Sequence, residues 1–236
     1  MDRDQAAARL LCAVDTTDLD QAARLAERLA GRVGGIKLGL EFFCAHGPSG
    51  VRRVLQRGQG LFLDLKLHDI PNTVAGGIKG AAAMQPFLTT IHASGGPAMM
   101  RAAMEAARSL GENRPRVVAV TMLTSMDDAD LTAVGMAPPV GEQVVRLAAL
   151  AQGCGVDGVV CSPHEAERLR RECGDDFLLV VPGVRPSWAA SDDQKRIMTP
   201  REAVSAGASY LVVGRPITRA DDPAEAADRI VADMVG

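Results

Sequence analysis

Short apolar runs alternate along the chain with longer, alanine-rich amphipathic stretches, the rhythm of buried parallel strands separated by helices. The apolar runs predict eight strands, at 10–15, 35–39, 61–66, 87–93, 117–123, 158–162, 177–184 and 210–215. Between them the spacing predicts helices over 18–30, a stretch ending near 55, 73–84, 97–110, 141–153, 164–173, 200–206 and 223–235. Three of these carry start signals. Ser162-Pro163, Thr199-Pro200 and Asp222-Pro223 each set a capping oxygen before a proline suited to the first helical position. Eight strand–helix pairs in 236 residues repeat every 29 or so, close to the roughly 30 residues of a βαβ unit. A single α/β domain over 1–236 follows, built as a (β/α)8 TIM barrel. The rival open, doubly wound sheet lacks its marker, since no G-x-G-x-x-G follows the first strand.

Composition narrows the function classes. The chain is 47% hydrophobic and 23% charged, and no apolar run approaches the roughly 20 residues that span a bilayer, so a soluble globular protein is expected. A net charge of −3, with five Phe, one Trp and one Tyr, argues against nucleic-acid binding, which wants basic surface and stacking rings. The five cysteines form no C-x-x-C pair, which argues against a disulfide framework or a structural zinc site. The first residues carry Asp2 and Asp4, unlike a secretory leader, so a cytoplasmic protein is expected.

Barrels bind their substrates at the C-terminal ends of the strands, so charges that end apolar strands mark candidate chemistry. Here these are Asp15 on the first strand, Lys37 on the second, and Asp64 and Lys66 on the third, with His68 and Asp69 just beyond. Asp64 and Lys66 are two apart and project from one strand face. Lysines among apolar residues need carboxylates beside them, and these aspartates can supply an alternating cluster. Across the rim, Pro182-Gly183-Val184-Arg185 and Gly214-Arg215-Pro216 follow strands seven and eight, where many barrels hold phosphate. The long polar connection 185–199 overlooks the same face and reads as either a disordered stretch or an active-site lid. His46, His68, His92 and His164 lack metal-ligand spacing, and His92 is expected as a hydrogen-bonded core residue. Asp64 and Asp69 could hold Mg²⁺, but Lys66 between them competes as a built-in cation, so no metal is expected.

The run Asp64-Leu65-Lys66-Leu67-His68-Asp69-Ile70-Pro71-Asn72-Thr73 resembles the signature of the orotidine 5′-monophosphate decarboxylase family. Blocks in the same order continue the resemblance: Ala13-Val14-Asp15, Lys37-Leu38-Gly39, His92 to Gly96, Leu123 to Met126, Pro182 to Arg185, Asp193 to Arg196 and Gly214 to Ile217. The resemblance implies a cofactor-free lyase that converts orotidine 5′-monophosphate to UMP and carbon dioxide. Lys66 would be the proton donor, with Asp64 beside the departing carboxylate and Lys37 and Asp69 completing the charge network. Asp15 would hold the ribose, Thr124 would lie at the pyrimidine end, and Pro182, Arg185, Gly214 and Arg215 would surround the phosphate. Gln194 would bridge phosphate and base. Asp69, Ile70 and Thr73 would reach into a neighbouring subunit, which implies a homodimer with shared sites. Two other readings stand beside it: a Mg²⁺-dependent sugar-phosphate decarboxylase or aldolase of the same superfamily, and a barrel that binds nucleotide without turnover.

Overall fold

The computed structural model describes residues 1–55, 58–189 and 198–236. The eight strands are β1 (Leu10–Ala13), β2 (Gly35–Gly39), β3 (Gly60–Leu67), β4 (Leu88–His92), β5 (Arg116–Val120), β6 (Gly158–Val160), β7 (Leu178–Pro182) and β8 (Tyr210–Val213). All pair in parallel and in sequence order, and β8 returns to β1 through Leu211 opposite Leu10, so the sheet closes as the expected (β/α)8 barrel.

The described helices are α1 (Arg3–Arg9), α2 (Leu19–Leu29), α3 (Leu40–Val54), α4 (Pro71–Ala81), α5 (Gly96–Arg108) and α6 (Asp128–Ala133). They continue with α7 (Val140–Gly153), α8 (Pro163–Cys173), α9 (Pro200–Ser205), α10 (Arg215–Thr218) and α11 (Pro223–Val235). The three proline starts fall where the sequence put them, opening α8, α9 and α11.

Alternation along each strand divides two cores. Leu11, Ala13, Phe62, Leu88, Val118, Val180 and Val212 fill the barrel interior, while Leu10, Cys12, Ile36, Leu38 and their neighbours face the helices. Lys37, between the outward Ile36 and Leu38, is thereby turned inward, and the same alternation turns Asp64 inward two residues after Phe62.

Several predicted strands stop sooner than expected, because their last residues serve the rim instead of the ladder. Ser162 caps α8 through a reciprocal box with Glu165, and Arg215 opens α10. The sequence reading also missed α1, which is short and carries one buried residue, Ala6. Asp2 and Gln5 close its capping box, and Arg3 ties it to α11 through Asp228 at 2.8 Å.

Candidate active site

The C-terminal strand ends open into a cavity of about 320 Å³. Ala13, Phe62, Val160, Val180 and Val212 line its apolar side. Its polar wall holds Asp15, Lys37, Asp64, Lys66, Thr124, Pro182, Gly183, Arg185, Gly214 and Arg215. The structure therefore brings together, around one space, the expected residues at or just beyond the C-terminal ends of β1, β2, β3, β5, β7 and β8. Three others stay apart from it: Asp69, Ile70 and Thr73 are exposed at the start of α4, and the Asp69 carboxylate accepts the Ile70 N–H at 2.6 Å. Gln194 lies outside the described residues.

The charges form one connected chain. Lys66 Nζ donates to Asp64 Oδ2 at 2.7 Å, Lys37 Nζ stands 3.5 Å from the same oxygen, and Lys37 Nζ also donates to Asp15 Oδ1 at 3.1 Å. Asp64 and Lys37 are nearly buried, whereas the Lys66 side chain keeps 32% of its surface toward the cavity. Burial by itself would push the Asp64 carboxyl up. Lys37, Lys66 and a hydrogen bond from Thr90 outweigh it and hold that carboxyl below the usual carboxylate range. Gly39 leaves room for this arrangement, since a Cβ there would stand 3.2 Å from Lys37 Nζ.

Lys66 does not continue its strand regularly. Its φ is +50, and the β3–β4 register slips between Leu63 and Leu67. A non-glycine residue in the left-handed region costs about 1 kcal/mol or more, and such outliers cluster where a side chain must be aimed. Asp64 and Lys66 share a face as expected: Phe62, Asp64 and Lys66 all line the cavity while Leu65 and Leu67 pack toward the helices, so the alternation persists although the pairing with β4 slips. Sequence reasoning missed Thr90, whose hydroxyl sits at this bulge; a threonine inside a strand is ordinary and gave no signal.

His92 departs from the expectation of a hydrogen-bonded core residue. It is only partly buried, and its ring stacks on His68 at 5.3 Å, where both reach the rim beyond the bulge. Burial first, then His68 and Lys66, hold the His92 imidazole below its ordinary value, which favours the neutral ring. The Cys12 thiol, packed toward the helices, is pushed up to about 12 by burial and so stays protonated. Among the described residues no group of three or more His, Cys, Asp or Glu side chains is placed to hold a metal ion.

The opposite wall is built from loops. Gly183 takes φ +81 after β7, Arg185 is buried, and its N–H donates to Met198 O at 3.0 Å across the base of the long connection. After β8, Gly214 caps the four-residue α10 that begins with Arg215. Glycine-bearing loops after strands seven and eight, with a short extra helix, have the build of a phosphate-handling barrel.

Comparison with known proteins sharpens that class. A model of the orotidine 5′-phosphate decarboxylase / HUMPS family matches residues 8–230, and the chain belongs to that family. It is 57% identical over 226 residues to the orotidine 5′-phosphate decarboxylase of Paramagnetospirillum magneticum, covering 94% of this chain and 96% of that protein. The enzyme of the same description from Rhodospirillum rubrum is 56% identical over 229 residues, 95% of this chain and 93% of that one. The crystal structure of orotidine 5′-phosphate decarboxylase from Lactobacillus acidophilus superposes with a TM-score of 0.85 at 38% identity, covering 96% of this chain and 99% of that one.

Proposed function

We propose that this chain is a cytoplasmic decarboxylase of orotidine 5′-monophosphate in pyrimidine biosynthesis, one barrel domain acting as a homodimer without a cofactor. The observation that carries the reading is the Lys66–Asp64–Lys37–Asp15 chain facing Arg185 and Arg215 across one cavity. In the reaction the bond from the ring carbon to its carboxylate breaks, carbon dioxide leaves, and the electron pair stays on the carbon. The Lys66 ammonium stabilises that charge and delivers a proton to the carbon, forming UMP. Asp64 aims Lys66, and Lys37 completes the alternation of charge and reaches Asp15 at the ribose. Arg185, Gly214 and Arg215 take the phosphate, with Pro182 beside it, Gln194 bridging phosphate and base, and Thr124 at the pyrimidine. Phosphate binding far from the reacting carbon then helps order the site around it.

The Mg²⁺-dependent alternative asks Asp64 and Asp69 to share a cation. Asp64 is instead held by Lys66 and Lys37, and the Asp69 carboxylate accepts the Ile70 N–H outside the cavity. Following the ultraviolet absorbance of orotidine 5′-monophosphate with purified protein, with and without EDTA, tests the assignment. Conversion to UMP that survives EDTA and collapses in Lys66→Ala supports it. No conversion by folded wild type overturns it.

The homodimer rests on the exposure of Asp69, Ile70 and Thr73, with Ile70 67% exposed at the rim. An apolar side chain so placed suits burial against a second copy. Mixed Lys66→Ala and Asp69→Ala subunits, each inactive alone, are then expected to regain part of the activity as hybrids. No recovery after confirmed subunit exchange would remove the shared site.

A further inference from the structure

Between paired Leu63–Thr89 and Leu67–Ile91, three residues of β3 stand opposite the single residue Thr90 of β4. The ladder cannot serve all three, so the Lys66 N–H loses its regular backbone acceptor. Thr90 Oγ1, fully buried, accepts that N–H at 2.8 Å. With its lone pair engaged, the hydroxyl proton is directed to Asp64 Oδ1 at 2.9 Å. The other carboxylate oxygen, Oδ2, takes Lys66 Nζ. A closed loop of contacts results: Lys66 backbone to Thr90, Thr90 to Asp64, and Asp64 back to the Lys66 side chain. The neighbouring Thr89 makes only a sheet contact, its hydroxyl donating to Leu63 O at 3.0 Å.

We propose that Thr90 is a positioning residue for the decarboxylation: its hydroxyl locks the Asp64 carboxylate plane and the bulge at Lys66, and so aims the Lys66 ammonium at the reacting carbon. The inference rests on the function proposed above. An aspartate held at both oxygens cannot rotate, and the proton donor hydrogen-bonded to it is confined to one direction. A donor misplaced by an ångström loses rate far more than binding. The groups facing Asp64 are Lys37 from β2 and Lys66 from β3, with Asp15 behind Lys37 and His92 at the end of β4.

Thr90→Val keeps the shape and removes the hydroxyl, and Thr90→Ser keeps the hydroxyl and removes a methyl. Losing a hydrogen bond to a charged group predicts a fall in kcat on the order of 10- to 100-fold for Thr90→Val, with KM within about threefold. Its acid limb in the pH profile moves upward, because Asp64 has lost a donor that favours the ionised form. Thr90→Ser returns kcat and the limb to within a few-fold of wild type. A purely structural threonine would lower the Tm of Thr90→Val and leave kcat and the pH profile unmoved, and that result overturns the proposal, as does a Thr90→Ser variant as slow as Thr90→Val. Titration of the Asp64 carboxyl by carbon NMR in wild type and Thr90→Val reads the same contact without turnover. An unshifted titration overturns the role of Thr90, whereas absent wild-type turnover overturns the assigned reaction and leaves the titration to decide Thr90.

Discussion

The two walls of the cavity are built on different principles. On one side, Lys37, Asp64, Lys66 and Thr90 sit on three adjacent strands, their positions set by ladder register and one bulge. On the other, Gly183, Arg185, Gly214 and Arg215 come from a loop and a four-residue helix. Strands hold atoms to fractions of an ångström, which proton delivery demands, whereas loops tolerate adjustment around a bound anion. The strand wall also neutralises itself, pairing both its lysines with its aspartates before substrate arrives. On the proposed function, labour divides between a preorganised wall for chemistry and an adaptable wall for binding.

That division is broken most sharply by one pair of variants. On the proposed mechanism Lys66→Ala removes general acid and cation together, so kcat is expected to fall by at least about 1,000-fold with little change in KM. Arg215→Ala should act on the other parameter, costing on the order of 100-fold in kcat/KM, mostly through KM. Repeating the kinetics with the nucleoside that lacks phosphate separates the walls. Wild type and Arg215→Ala should then agree within about threefold, because the remote group has nothing to hold. An Arg215→Ala defect that persists on the nucleoside would place the arginine in the chemistry and end the division.

The strand wall was the more legible in sequence, for a physical reason. A single lysine or aspartate ending an apolar strand says little, but Lys37, Asp64 and Lys66 together at one barrel rim stood out before any resemblance was considered. Gly183-Val184-Arg185 and Gly214-Arg215 were legible from the combination of residue type with position after strands seven and eight. Thr90 was not, since threonine favours strands and its hydroxyl gained meaning only when the β3–β4 register slipped opposite it. The left-handed φ of Lys66 was equally hidden, because no glycine or asparagine announced it. Alternation along β3 correctly placed Asp64 and Lys66 on one face, but the period of two does not contain the slip in pairing with β4. Helix α1 escaped for want of length: seven residues with one buried side chain give almost no periodic signal.

A smaller effect probes the strand wall through pH. The Asp64 carboxyl is held below its ordinary value, so its stabilising contribution is complete above the unfolded pKa of about 3.9 and is lost as pH falls through the lowered folded value. Asp64→Asn takes the carboxylate from Lys66 and leaves Lys37 with Asp15 alone, and should cost about 2 kcal/mol at neutral pH, toward the low side because Lys66 is partly exposed. Comparing Tm of the two proteins from pH 7 downward should show the gap constant, then narrowing below about pH 4. A gap that narrows already near pH 6 would mean that Asp64 is protonated well above the range its lysines impose.

The smallest expected effect belongs to the loop wall. Trp188 is the sole tryptophan and lies at the start of the long connection, 39% exposed, with the Arg229 guanidinium carbon 4.2 Å from its ring centre. A cation over an indole at an exposed site is worth only about 0.5–1 kcal/mol, weak enough for a bound anion to rearrange. If the connection acts as a lid drawn in by phosphate near Arg185, saturating UMP should shift Trp188 emission, and Arg229→Ala should change the emission of the free protein. The two perturbations should not add, because closure lifts the ring from Arg229 and leaves nothing for the substitution to remove. Strictly additive changes would mean that Trp188 stays on Arg229 throughout and takes no part in any closure.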